Sequence, residues 1–195
     1  MALPAPAKPL RADAERTVRA ILEAAERVLS ANPAATMEQV AEAAGVARTT
    51  VHRRFASRDA LIAALATWAT QRFYEAVEAA RPETAPPAIA LYQVTANVLR
   101  VKIGWGFAMG AEPTGAPEAA RVHAEVLARC ELLFARARDA GLLAPDTDVD
   151  WARRVYYALI HEAAAEAPDT DAAVDALATR VVDTLLYGIG RPATR

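Results

Sequence analysis

The chain has 195 residues, 54% of them hydrophobic but only 6% aromatic, with 24% charged and a formal net charge of −2. Alanine fills the gap between the first two figures, with 50 residues; it is the strongest intrinsic helix former and a poor builder of strands. β-branched and aromatic residues never run together for a strand's length, which argues against a sandwich, a barrel or a doubly wound α/β fold.

Pro4, Pro6 and Pro9 make residues 1–12 a disordered arm by composition. Val18, Ile21, Leu22, Ala25 and Leu29 form a helical stripe over 13–31, closed by Asn32-Pro33. Thr36 and Gln39 have the spacing of a capping box and open a short helix that Gly45 ends. A second short helix covers 48–55, and Ser57 caps a longer one running to about Ala80. Helices are then expected over 87–109, 117–140, 148–167 and 170–187, the first of them broken or kinked at Gly104 and Gly106. The predicted fold is all-α with about nine helices. Residues 13–60 form a helix-turn-helix DNA-binding domain, and 61–195 a helical ligand-binding and dimerisation domain.

The net charge conceals an asymmetry. Residues 1–60 carry nine Lys/Arg against seven acids, whereas the remainder carries 13 against 17. Between residues 45 and 58 stand four arginines, one histidine and no acid. Such a face is either a footprint for phosphate or simply a solvated helix. Its surroundings favour the first reading. Two short helices meet at Gly45, which tolerates positive φ; Ala41 is small enough for a close crossing, and Val51 is an aliphatic plug. The side opposite the plug presents Arg48, Thr49, Thr50, His52 and Arg53, rich in hydrogen-bond donors and of a size that enters a major groove.

The stretch from Thr36 to Leu61, TMEQVAEAAGVARTTVHRRFASRDAL, resembles the N-terminal domain of TetR-type transcriptional regulators. The likeness is specific over roughly 13–65; beyond it stand chain length, helix number and the GLLAPDTDVDWA stretch at 141–152. The resemblance implies a dimeric, operator-binding regulator, usually a repressor, whose C-terminal domain binds a small organic inducer. By position it implies base reading by Arg48, Thr49 and Thr50, and DNA contacts from Thr36, His52, Arg53, Arg54 and Arg58. His52 stands where the family usually has a phosphate-contacting tyrosine, and it reaches less far. Arg58 replaces a lysine and offers a planar fork suited to phosphate. Lys8 and Arg11 either track a neighbouring groove or are solvated.

Three catalytic-looking fragments lack essential parts. His161-Glu162 opens like a zinc-protease helix, but Ala165 occupies the second histidine's place. The glycines of 104–110 have the wrong spacing for a dinucleotide loop. His123 and Cys130 share a helix face without the further ligands that zinc needs. No catalytic, metal or cofactor site is therefore expected, and the chain is not read as an enzyme.

Most aromatic rings fall after residue 65. Tyr92, Trp105, Met109, His123, Tyr157 and His161 are candidate walls of a ligand pocket, or else core. Val155, Tyr156, Leu159, Ile160 and Ala163 make one apolar stripe near the C-terminus, and Val174, Leu177, Val181, Leu185 and Ile189 another. A hairpin of these helices would build a four-helix dimer interface through Tyr156, Leu159, Ile160, Leu177, Val181 and Leu185. No apolar run approaches the roughly 20 residues of a membrane helix, and early charges leave no signal-peptide stretch. The lone Cys130 fits a reducing cytoplasm. The expected partners are duplex operator DNA, a small ligand and a second copy of the chain, with no membrane. A helical protein–protein adaptor or small helical enzyme, with an incidental basic face, is the alternative.

Overall fold

A computed structural model describes residues 8–110 and 117–189, of which 8–11, 117–120 and 123 are described by backbone alone. Among the described residues there are nine helices and no strand. The order is α1 (Lys8–Ala31), α2 (Met37–Ala43), α3 (Arg48–Arg54), α4 (Arg58–Ala79), α5 (Pro87–Gly104), α6 (Gly106–Gly110), α7 (Pro117–Asp139), α8 (Val149–Ala164) and α9 (Asp171–Tyr187). None is long and apolar enough to cross a membrane.

Helix ends follow local chemistry. The Thr36 hydroxyl accepts from the Gln39 backbone N–H at 3.3 Å, while the Thr36 N–H donates to the Gln39 side chain at 2.8 Å. This reciprocal pair is the expected capping box. The side chains of Ser57, Asp148 and Thr170 cap α4, α8 and α9 by accepting from a first-turn backbone N–H. Gly45 lies at φ 66°, a conformation that frees the turn between α2 and α3. The expected helix over 87–109 is interrupted at Trp105, so that Gly106–Gly110 is separate. Helix α1 begins at Lys8, inside the stretch expected to be a disordered arm. Pro9 is tolerated because a first-turn residue needs no backbone N–H. Residues 1–7 of that arm lie outside the described residues.

The chain divides into two compact units: Met1–Ala69 with Gly106–Thr114, and Thr70–Trp105 with Gly115–Arg195. The division falls inside α4 rather than at residue 60, since Leu61, Leu65, Ala66 and Ala69 are buried within the first unit. The core of that unit is Ile21, Leu22, Ala25 and Leu29 of α1 with Val40, Ala41, Val51 and Phe55 of the following helices. Glu26 is buried there too. Its carboxylate accepts from the backbone N–H groups of Phe107 at 2.8 Å and Ala108 at 3.0 Å, and from the Ser30 hydroxyl at 3.0 Å. Three donors satisfy an ion that would otherwise be costly to bury.

In the second unit Leu91 and Leu99 of α5, Leu133 and Phe134 of α7, Tyr156 of α8 and Val182 of α9 are almost wholly buried. Phe134 and Tyr156 meet edge to face, with ring centroids 5.4 Å apart. The Tyr156 hydroxyl is paired with Thr95 at 2.7 Å, so this polar tip is satisfied inside the core. Arg100 of α5 reaches Asp171 at 3.0 Å and Asp175 at 2.7 Å near the start of α9. Arg136 of α7 donates to the backbone carbonyls of Pro82 and Ala85 and so fixes the turn before α5.

Four of the six residues expected at a dimer interface belong to this core instead. Tyr156, Ile160, Leu177 and Val181 are each at most 4% exposed within the single chain. The apolar stripes of α8 and α9 are the faces that pack on α5 and on each other, so they are spent inside the chain. Leu159 and Leu185 are half-buried at the edge of the core.

Candidate nucleic-acid interface

Helices α2 and α3 form a helix-turn-helix held by contacts legible in its sequence. Val51, wholly buried, is the only residue of α3 that sits in the core. With that face inward, Arg48, Thr49, His52, Arg53 and Arg54 are exposed, and Thr50 is half-buried. His52, Arg53 and Arg54 occupy the last turn of α3, where cations complement the negative end of the helix dipole. No acid lies within α3, and Thr36 is exposed as the cap of α2.

Two arginines have partners that sequence reasoning missed. Arg48 forms an ion pair with Glu38 at 2.7 Å, and its Nε donates to His52 Nε2 at 3.5 Å. A hydrogen bond from its own backbone N–H, with the charge of Arg48 and the Thr36 hydroxyl, holds the Glu38 carboxyl below its ordinary value. Arg58, half-buried, donates to the backbone carbonyls of Pro33 and Ala35. It therefore braces the turn between α1 and α2 rather than standing free for phosphate.

The expected pocket walls have different settings. Tyr92 donates to Asp183 at 2.6 Å, and this hydrogen bond, with burial, pushes its hydroxyl up to about 12. Tyr157 is half-buried, with the Arg153 guanidinium 5.3 Å above its ring. Burial pushes the Cys130 thiol up, which makes it a poor nucleophile. Trp105, at the end of α5, is half-buried, as is Met109 of α6 in the other unit. His161, expected as a pocket wall, is instead exposed, because the buried face of α8 runs through Ala152, Tyr156, Ile160 and Ala163, and His161 lies off that line. The His123 side chain lies outside the described residues.

A basic, donor-rich helix on a helix-turn-helix, in a chain that also carries a second helical unit, defines the architecture of a DNA-binding regulator. Residues 21–65 match the model for bacterial regulatory proteins of the TetR family. The chain is 34% identical over 175 residues to the helix-turn-helix transcriptional repressor LfrR of Mycolicibacterium smegmatis, covering 88% of this chain and 92% of that one. The crystal structure of the TetR-like regulator LfrR from Mycobacterium smegmatis in complex with proflavine superposes with a TM-score of 0.66. It is 31% identical, covering 90% of this chain and 98% of that chain. PfmR from Thermus thermophilus shares the fold at a TM-score of 0.72 and 18% identity, with 88% and 99% covered. The chain belongs to the TetR family of bacterial transcriptional regulators.

Proposed function

We propose that this regulator is a cytoplasmic repressor that binds a palindromic operator as a dimer and is released by a flat aromatic cation. The observation that carries the DNA-reading part is the exposed face of α3, set outward by the burial of Val51. Arg48, Thr49 and Thr50 are assigned to base edges, and His52, Arg53 and Arg54 to phosphates. Thr36 and Arg58 hold α2 and the preceding turn in place. Residues 13–60 act as the reading head, carried by the first half of α4. A dimer suits successive major grooves, whose half-sites lie about 34–36 Å apart. Leu159 and Leu185, with the exposed Trp151 and Tyr187, are among the apolar side chains of α8 and α9 left for a second copy.

Support for this inducer class comes from the relative solved in complex with proflavine. Tyr92, Trp105 and Tyr157 supply rings for stacking and cation–π contact in the second unit. That unit carries 13 Lys/Arg against 16 acids, a net negative charge that suits a cation. For release, the cation must bind the DNA-incompetent state better than the competent one. The test is a gel shift with duplex from the region upstream of the chain's own gene, titrated with proflavine. Flat cations also stack on DNA, so an unrelated repressor and operator run alongside. Release of this protein at dye concentrations that leave the control complex intact is expected. Dye that binds the protein by fluorescence yet leaves its complex intact would refute the induction.

A further inference from the structure

The guanidinium of Arg48 is restrained on two sides. Glu38 Oε1 lies 2.7 Å from one Nη, and Nε donates to His52 Nε2 at 3.5 Å. Glu38 stands in the first turn of α2 and Arg48 in the first turn of α3, so the pair links the starts of the two helices. All three residues are exposed. An exposed ion pair contributes little to folding, and a carboxylate on a phosphate-facing surface weakens general attraction to DNA. Its place in the first turn of α2 suits the helix dipole, but neither that small gain nor affinity accounts for its reach to Arg48.

Orientation does account for it. An arginine otherwise samples many rotamers, and holding Nε and one Nη leaves the remaining N–H groups aimed in one direction. A fixed planar fork suits the O6 and N7 acceptors of guanine. We infer that Glu38 is a positioning residue for base specificity, holding Arg48 so that α3 reads one G·C pair per half-site while lowering affinity for DNA at large. This rests on the operator-reading function proposed above.

The test is selection of bound duplexes from a randomised library by the full-length wild type, Glu38→Gln, Glu38→Ala, Arg48→Ala and Glu38→Gln/Arg48→Ala, followed by titrations. The wild type is expected to select a fixed G·C pair in each half-site. Glu38→Gln should relax that pair by roughly five- to tenfold, Glu38→Ala at least as much, with the other positions unchanged. Both should bind scrambled duplex a few-fold tighter at low salt, with a melting temperature lower by about a degree or two at most, from loss of the first-turn acid. In the Arg48→Ala background Glu38→Gln should change the base preference no further, since it acts on specificity through that arginine, while binding to scrambled duplex still tightens. Retention of the wild-type preference by both Glu38 variants overturns the inference while leaving operator reading intact. So does a uniform loss of preference at all positions with a melting temperature lowered further than that, the mark of a merely structural role. If the wild type selects no sequence, operator reading itself fails, and this inference with it.

Discussion

Replacing Glu26 by alanine is expected to destabilise the N-terminal unit by about 2–6 kcal/mol, at roughly 1–3 kcal/mol for each of two backbone donors left unpaired. Glu26 is 4% exposed, and its carboxylate takes both the Phe107 and the Ala108 backbone N–H. Those amides begin α6, whose first turn has no intrahelical acceptors for them. The Ser30 hydroxyl loses its partner as well, but Ser30 is exposed and turns to water. Glu26→Gln keeps one acceptor and sets an amide NH2 against an N–H donor, so an intermediate loss is expected. Urea unfolding followed by circular dichroism gives the number. An unchanged midpoint in Glu26→Ala would mean that the carboxylate contributes nothing to this unit.

Val51→Asp is expected to abolish DNA binding. Val51 is wholly buried and is the sole anchor of α3 in the core, so an unpaired carboxylate there costs several kcal/mol. A loss of that size approaches the whole stability of a small unit. The second unit has its own core, centred on Leu91, Leu99, Phe134 and Tyr156, and is expected to stay folded. The variant should therefore lose part of its helical signal and all of its DNA affinity. Val51→Ala, which creates a gap without burying charge, should bind DNA after a smaller loss of stability. A Val51→Asp protein with wild-type helicity and binding would show that α3 is not seated by this side chain.

Features set by neighbours in sequence were legible. Thr36 with Gln39, Gly45, Ser57, Asp148 and Thr170 act within a few residues of themselves, and each ends or opens a helix where its chemistry places it. The helix-turn-helix was legible for the same reason, because Ala41, Gly45 and Val51 lie within one short stretch. Partners far apart in the chain were not. Arg58 has the charge of a phosphate contact, yet its carbonyl partners lie 23 and 25 residues earlier. Glu26 carries a signal in the sequence: it is an acid on the same face as Leu22, Ala25 and Leu29, and an acid on an apolar stripe calls for a buried partner. The stripes of α8 and α9 identified apolar faces correctly, but a stripe does not state whether its own chain or a second copy covers it. Tyr156, Ile160, Leu177 and Val181 are covered by their own chain. His161 shows the complementary error, since one residue's rotation along α8 moves a side chain from the core line to solvent.

Reading of a particular duplex by the outward face of α3 underlies everything proposed for this regulator. Fluorescence-anisotropy titrations of the wild type against its upstream duplex and a scrambled duplex of equal length, at low and at moderate salt, put it to the test. Specific binding at least about a thousandfold tighter than the scrambled duplex is expected. Both affinities should fall steeply with salt as counterions are released from contacted phosphates. Equal affinity for the two duplexes at every salt concentration would show that α3 reads no sequence.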